Sequence, residues 1–502
     1  MSNVKRTMKN LMILFLISVL LCGCGRQKYN GEPLELWLVT EESRSGGMNT
    51  QAEMVIEQFK EIYPNVSVKM DILPQSEESR TAYLKKIRSE IMSGGGPDLY
   101  LMPTYELAYP ETEITSTDFM EPLFASVPKQ MYNGVFTDIG EYYDADETLG
   151  KDGLVTGVMD AGIMDGARYV MPLRYDYDVV LADVNAMEDL GIDHDLFDGG
   201  IDELYKLAER LQDDYASLGL AAKPDYTHAS DYIDFQTENV LMDASEFASL
   251  VNGYYRTVEL ANPDEHQDQG EFFGGHYFVT KVGYEGYNCS ISSYIANGNK
   301  KVAIFSTAGY PFMRVSMSQL VDVAAAIKIL DQNVTMHPIR AADGRLIAEI
   351  TYYGAVGSGC KYPEIAYEFL RTFYSEELQW QQYYPWNAGE ALEIMAERGY
   401  PVRTVGFAEV QYENIRKELE QDQLADKRMK NHTSMRRREP LLDKSFTITD
   451  KDLPILATPV DEARFPFMTI DGEFFYQYVS KTETTEDAQA MMEDLKWLLA
   501  EG

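Results

Sequence analysis

Glu35-Leu36-Trp37-Leu38-Val39-Thr40 is an apolar run with the length and composition of a buried β-strand. Apolar residues at helical spacing follow at residues 50–63, and alternating residues at 66–70 predict a second strand. A second helix is predicted at 79–92 and a third strand at 97–102, with three consecutive glycines between them. Strands that alternate with helices predict a mainly parallel sheet with helices on both faces.

The composition is that of a globular protein and excludes several classes of function. The chain has 502 residues, of which 45% are hydrophobic and 25% are charged. At roughly 150 residues per domain, this length predicts about two to four domains or lobes. The 81 acidic residues outnumber the 44 basic residues, and the formal net charge is −37. Such a surface repels nucleic acid and anionic lipid, so neither is expected as an electrostatic partner.

The first residues have the pattern of a bacterial export signal. Three basic residues precede an apolar run at 11–21, which is too short for a bilayer that requires about 20 residues. The run is therefore predicted to belong to a signal peptide at 1–23. Leu21-Cys22-Gly23-Cys24 resembles the lipobox of bacterial lipoproteins, so Cys24 is the expected lipidation site. Residues 24–31 are then a polar, flexible tether.

Acyl chains on Cys24 would hold the protein at the extracellular face of the bacterial cell membrane, because two or more chains give stable anchoring. The alternative is an ordinary secretory signal with an incidental cysteine. Removal of the signal peptide takes away three positive charges and no negative charge, so the mature chain has a net charge of −40.

The remaining cysteines, Cys289 and Cys360, lie 71 residues apart. They either form a disulfide in an oxidising compartment or remain two free thiols. No Cys/His spacing matches a zinc site, and the two near matches to calcium loops, at 144–146 and 193–195, are better interpreted as turns. No cofactor or metal is expected.

Five segments with recognisable motifs occur in a fixed order along the chain. They lie at residues 59–68 together with 95–100, at 165–193, at 298–311, at 354–379 and at 485–499. Together they resemble the extracellular solute-binding proteins of bacterial ABC transporters, in particular family 1, the carbohydrate-binding group. The resemblance implies an α/β, two-lobed periplasmic-binding-protein-like fold of type II, in which mixed sheets flanked by helices surround a central ligand cleft.

The chain of this family crosses between its lobes several times, so each lobe combines distant segments. By this resemblance, lobe one is predicted at 32–130 plus 318–373, and lobe two at 131–317 plus 374–502.

Some segments depart from the family pattern. Leu181-Ala182-Asp183-Val184 stands where many members have Tyr-Asn-Lys, and residues 216–273 and 406–460 match little. Six basic residues lie between 427 and 438. They are expected to form a solvated face, or alternatively to contact the membrane or the permease.

A sugar presents flat apolar faces and a rim of hydroxyl groups, which suit aromatic rings and planar charged side chains. In open α/β sheets the ligand lies outside the carboxyl ends of the strands. These criteria and the resemblance predict nine ligand-binding residues: Trp37, Glu41, Tyr105, Arg174, Tyr175, Asp176, Tyr310, Tyr353 and Trp386. The alternatives are a structural ion pair for the charged residues at 174–176 and a core position for the aromatic rings.

The resemblance implies a binding protein rather than an enzyme. Its expected partners are a small carbohydrate ligand, the permease subunits of an ABC transporter, and the membrane through the lipid anchor. No serine-hydrolase elbow, zinc-protease motif or phosphate-binding loop occurs in the sequence. Two alternatives remain open at this point, a secreted glycan-active hydrolase or lyase, and a receptor of the same fold for a non-sugar solute.

Overall fold

The computed structural model describes about half of the chain. The described residues are 29–41, 47–104, 120–193, 233–234, 239–246, 248, 312–316, 320, 324, 327–328, 333–341, 343–380, 399–413, 447–466, 489–494 and 496–497. The predicted features at Cys24, Tyr105, Cys289, Tyr310, Trp386 and the basic residues of 427–438 lie outside them.

The strands and helices follow in this chain order. The strands are β1 (Leu34–Thr40), β2 (Val66–Ile72), β3 (Leu99–Pro103), β4 (Ile163–Met164), β5 (Ala167–Arg168), β6 (Val170–Asp176), β7 (Asp178–Asp183), β8 (Ile233–Asp234), β9 (Asn239–Val240), β10 (Phe312–Ser316), β11 (Val334–Pro338), β12 (Ile347–Val356), β13 (Tyr400–Pro401) and β14 (Glu462–Arg464). The α-helices are α1 (Gly47–Ile62), α2 (Glu77–Met92), α3 (Val127–Tyr132), α4 (Gly140–Ala145), α5 (Thr156–Met159), α6 (Val184–Leu190), α7 (Pro363–Thr372) and α8 (Glu376–Trp380).

The larger sheet has the strand order β13-β6-β12-β3-β1-β2, and β14 pairs with β12. Strands β1, β2 and β3 are parallel to one another, as the alternation of strands and helices predicts. Strand β12 runs antiparallel to both β3 and β6, which makes the sheet mixed. The mixed α/β fold confirms the predicted fold class.

Strand β12 lies in the middle of this sheet and is almost completely buried. Its ten residues, Ile347 to Val356, are mostly β-branched, aromatic or small, a composition that suits a strand covered on both faces. Because its neighbours β3 and β6 come from distant parts of the sequence, β12 joins segments that no local pattern connects.

Helices α1 and α7 pack together on the sheet. The Phe59 ring of α1 meets the Phe369 ring of α7 edge to face, with 5.4 Å between centroids. Helix α7 begins with Pro363, whose fixed φ suits the first helical position, and buries the apolar face that includes Ile365 and Leu370. These contacts cover the hydrophobic core of the sheet.

A second, three-stranded sheet has the order β10-β7-β11, with both pairs antiparallel. Only Tyr177 separates β7 of this sheet from β6 of the larger sheet. The larger sheet itself combines strands from both predicted lobes, since β6, β13 and β14 fall in the segments assigned to lobe two. The predicted lobe boundaries do not coincide with the limits of this sheet, and they stay a prediction.

The end of the predicted tether contacts the folded chain. The backbone N–H of Tyr29 donates to a carboxylate oxygen of Glu364 at 2.5 Å, and its ring lies 6.0 Å from that of Tyr362. The side chain of Asn65 donates to the carbonyl of Gly31 at 2.8 Å. Among the described residues, no helix has both the length and the apolar character needed to cross a bilayer.

Gly357, directly after β12, packs too closely on backbone for any side chain. A Cβ at this position would lie 2.1 Å from the carbonyl oxygen of Pro97. Gly357→Ala is therefore expected to lower the free energy of unfolding by about 1–3 kcal/mol, as overpacking does in a rigid core. Gly95→Ala is the matched control, because its Cβ would meet nothing nearer than 3.5 Å. Urea unfolding checks this, and equal stability of the two variants would contradict the packing described here.

Candidate functional site

The carboxyl ends of three strands meet at one edge of the larger sheet. Strands β1 and β3 are parallel, and β6 runs in the same direction because β12 is antiparallel to both β3 and β6. We call this the carboxyl edge, formed by Thr40, Glu41, Thr104 and Asp176, with Glu349 of β12 opposite Asp176. Ligands of open α/β sheets bind outside such an edge, so this is the candidate site.

Thr104 fixes the end of β3 to the beginning of β12. Its backbone N–H donates to the carbonyl of Thr351 at 3.0 Å. Its hydroxyl, which is buried, donates to the carbonyl of Ile350. Both contacts hold the polar end of β3 in register with β12.

Glu41 forms a buried ion pair with Arg80 of α2. The two guanidinium nitrogens donate to the two carboxylate oxygens at 2.7 Å each, and the two residues are 4% and 1% exposed. Arg80 Nε also donates to the carbonyl of Glu121 at 2.6 Å. Burial raises the pKa of Glu41 above its ordinary value, while the hydrogen bond and charge of Arg80 oppose that rise. Because the two charges compensate each other, the pair adds no net charge to the carboxyl edge, and its two hydrogen bonds hold both side chains in place.

Asn49, near the start of α1, has a side-chain N–H donor at the same edge that no described residue fills. The side chain is 7% exposed, and its carbonyl oxygen accepts a hydrogen bond from the Thr40 hydroxyl at 3.0 Å. Its Nδ2 atom has no hydrogen-bond partner among the described residues. A buried donor without a partner costs about 1–3 kcal/mol, which an incoming acceptor would recover. Asn49 is not among the residues predicted from the sequence. The signal that could have identified it is a polar residue at the start of a helix that follows a strand.

Arg174 lies in β6 beside the edge and is 5% exposed. The backbone of Gly399 packs against it with φ of +111°, and a Cβ on Gly399 would lie 3.0 Å from the Arg174 Cβ and 2.1 Å from the Thr351 hydroxyl. Only glycine adopts this conformation readily and fits in this space. Gly399, directly before β13, thus lies against Arg174 and Thr351 beside the carboxyl edge.

Tyr175 and Tyr353 are part of the hydrophobic core. The Tyr175 ring lies 6.3 Å from the rings of Tyr177 and Tyr400. The Tyr353 ring lies 5.6 Å from that of Phe465, and burial raises the pKa of both Tyr175 and Tyr353 well above the ordinary value. Their packing agrees with the alternative of core positions, and contact of either ring with a ligand stays a prediction.

Trp37 lies in the middle of β1, and its side chain contacts groups of β2 and α2. Its indole N–H donates to Asp71 at 2.9 Å, and the ammonium groups of Lys69 and Lys86 lie 5.7 and 6.0 Å from the ring centroid. These contacts explain the position of the Trp37 ring without a bound ligand. The role of Trp37 in ligand binding stays a prediction.

The structure thus brings Glu41, Arg174 and Asp176 to one edge, whereas Tyr105, Tyr310 and Trp386 lie outside the described residues. Cys360 forms no disulfide with a described residue and lies beside Asp98, and burial raises the pKa of its thiol. Within the described part of the chain, no group of three or more His, Cys, Asp or Glu side chains is arranged to hold a metal ion.

Comparison with known proteins gives a family match over most of the chain. The sequence model of a family described as bacterial extracellular solute-binding protein matches residues 46–380. No curated protein matches the chain by sequence.

Several solved structures are similar to the chain at low sequence identity. A family 1 extracellular solute-binding protein from Alicyclobacillus acidocaldarius has 13% identity and a TM-score of 0.46, with 93% of this chain and 99% of that chain covered. A periplasmic solute-binding protein from Pectobacterium atrosepticum has 14% identity and a TM-score of 0.47, with coverages of 93% and 99%. An ABC substrate-binding protein from Listeria monocytogenes, in complex with cycloalternan, has 11% identity and a TM-score of 0.45, with coverages of 93% and 100%.

The ion pair between Glu41 and Arg80 gives a stability prediction. Arg80→Met leaves the Glu41 carboxylate buried without a counter-charge and is expected to cost about 3–5 kcal/mol in free energy of unfolding. The double variant Arg80→Met/Glu41→Leu removes both charges and is expected to recover most of that loss. Urea unfolding of both variants measures the difference, and equal destabilisation of the two would show that the pair is not the source of the loss.

Proposed function

We propose that this chain, which belongs to the bacterial extracellular solute-binding protein family, is the lipid-anchored substrate-binding component of an ABC importer. It captures a sugar or oligosaccharide between two lobes and delivers the ligand to the permease, without breaking a bond in the ligand. A ligand that contacts both lobes favours the closed arrangement through its higher affinity for that arrangement.

The observation that carries the proposal is the buried side-chain N–H of Asn49 at the carboxyl edge, which has no hydrogen-bond partner among the described residues. A buried amide N–H that lacks a partner favours a ligand with a hydrogen-bond acceptor. The edge lies where ligands of open α/β sheets bind. Helix α1, which carries Asn49, has 16 residues and begins at this edge, so its terminal N–H groups also favour an acceptor.

The balance of charges at the carboxyl edge supports a neutral, polyhydroxylated ligand. The charge of Glu41 is compensated by Arg80 in the buried ion pair. Arg174 and Asp176 carry opposite charges two residues apart in β6. A sugar hydroxyl both donates and accepts hydrogen bonds, so it suits an edge that carries carboxylates, a guanidinium and an amide.

The Listeria protein was solved with cycloalternan, but at 11% identity its ligand does not carry over to this chain. The sugar assignment of this chain therefore rests on its own carboxyl edge.

Ligand binding is tested with a panel of mono- and oligosaccharides. A cognate sugar at one hundred times its Kd is expected to stabilise the protein by about 2.7 kcal/mol, and thermal unfolding detects the rise in Tm. Asn49→Ala and Asp176→Asn are each expected to weaken binding by about tenfold, the equivalent of one lost hydrogen bond to a charged or buried group. Isothermal titration calorimetry measures the affinities.

The matched control for these variants is Asn133→Ala, an exposed asparagine at the end of α3. It is expected to leave affinity unchanged. No rise in Tm with any sugar would exclude the carbohydrate ligand, and release of cleaved product from a glycan would favour an enzyme instead. Intact affinity in both edge variants would refute the location of the site.

The lipid anchor is tested separately by Cys24→Ala. Without the acylated cysteine, the protein is expected to leave the membrane fraction of cells and to lose incorporation of labelled palmitate, because two or more acyl chains provide the anchoring. Cys289→Ala is the control and is expected to keep both properties. Membrane attachment of Cys24→Ala at the level of the unchanged protein would contradict the lipobox assignment.

A further inference from the structure

The end of the predicted tether is fixed to the folded chain by direct contacts. The backbone N–H of Tyr29 donates to a carboxylate oxygen of Glu364 at 2.5 Å, and the Tyr29 ring meets the Tyr362 ring edge to face at 6.0 Å. Both tyrosine rings also pack against the hydrophobic core. We call residues 29–31 the docked end of the tether.

The contacts of the docked end lie at the edge of the larger sheet that is opposite the carboxyl edge. The side chain of Asn65 donates to the carbonyl of Gly31 at 2.8 Å, and the backbone carbonyl of Asn65 accepts from the N–H of Leu34 at 2.9 Å. Leu34 begins β1, and Asn65 directly precedes β2. Tyr362 follows β12, whose last residue, Val356, pairs with the first residue of β3. We call this edge, where β1, β2 and β3 begin, the amino edge.

The two edges are farther apart than the tether can reach while its end is docked. Strand β1 has seven residues, so about 20 Å separate the amino edge from the carboxyl edge along it. Five peptide units connect Cys24 to Tyr29, and a fully extended chain of that length spans at most about 18 Å. The carboxyl edge therefore cannot lie at the membrane while acyl chains on Cys24 are in the bilayer and residues 29–31 are docked.

We propose that docking of residues 29–31 orients the protein on the cell, with the amino edge toward the lipid bilayer and the carboxyl edge away from it. The orientation rests on the lipid anchor at Cys24, which is part of the proposed function. The candidate ligand site then faces the medium from which a solute is captured. Release of the docked end removes the restriction, because the ten peptide units from Cys24 to Leu34 span up to about 36 Å.

Two labels on one helix report which edge lies nearer to the bilayer. Helix α2 connects the end of β2 to the beginning of β3, so its N-cap, Ser76, lies on the side of the carboxyl edge and its C-cap, Ser93, on the side of the amino edge. Its 16 residues separate these two exposed serines by about 24 Å. In a Cys289→Ser/Cys360→Ser background, Ser76→Cys or Ser93→Cys provides a single thiol for a fluorescent donor, since the sulfur of Cys24 carries an acyl chain.

The lipidated protein is reconstituted in phosphatidylcholine vesicles that contain an acceptor-labelled lipid. Energy transfer is expected to be stronger from Ser93→Cys than from Ser76→Cys, because the first label lies nearer to the bilayer by up to about 24 Å. Tyr29→Ala/Glu364→Ala removes the docking contacts and is expected to reduce this difference between the labels.

The matched control is Tyr132→Ala/Glu53→Ala, which removes the same two residue types from exposed positions in α3 and α1. It is expected to keep the full difference between the labels. Docking itself is measured by hydrogen–deuterium exchange of the Tyr29 amide in detergent. Glu364→Ala is expected to speed this exchange by about tenfold, the equivalent of one hydrogen bond to a charged group, whereas Glu364→Gln retains an acceptor oxygen and slow exchange.

The outcomes distinguish the orientation from the anchor. Failure of the protein to attach to vesicles would refute the lipid anchor and the orientation together. Attachment with equal energy transfer from both labels would overturn the orientation and leave the anchor intact. The same holds if Tyr29→Ala/Glu364→Ala keeps the difference shown by the control variant, or if the Tyr29 amide of the unchanged protein exchanges as fast as that of Glu364→Ala.

Discussion

Strand β12 forms backbone hydrogen bonds along both sides, to β3 on one side and to β6 on the other. Because it is buried, almost none of its N–H and C=O groups can turn to water, and each requires a partner in the sheet. This requirement aligns β3 and β6 in the same direction although they are distant in sequence. The convergence of Glu41, Thr104 and Asp176 at one edge depends on that alignment.

The local elements of the fold are predictable from the sequence. The predicted first strand, 35–40, is observed at 34–40, and the predicted second helix, 79–92, is observed at 77–92. Periodicity suffices here because each element buries one face of its own. The pairing of β12 with β6 is not predictable in this way, since register between distant strands is set by packing across the whole sheet.

The candidate site is predictable only in part, for the same reason. Strand ends indicate Glu41 and Asp176, whereas the partner of Glu41 is Arg80, 39 residues away on a helix. Asn49 is not predictable from the sequence, because its importance depends on contacts in the fold: its carbonyl oxygen accepts a hydrogen bond from Thr40, and its Nδ2 has no partner among the described residues. The rings of Tyr175 and Tyr353 fit the core, and no spacing in the sequence distinguishes a core ring from one that stacks on a ligand.

The position of β12 in the chain also governs when the protein can fold. The hydroxyl of Thr104 and its acceptor, the carbonyl of Ile350, are 246 residues apart. A ribosome that adds about 5–20 residues per second needs about 10–50 s to synthesise that interval. During this time β3 lacks its antiparallel neighbour, and its unpaired edge is available to other chains. The larger sheet therefore cannot close before residues 347–356 have been made, however early its N-terminal strands form.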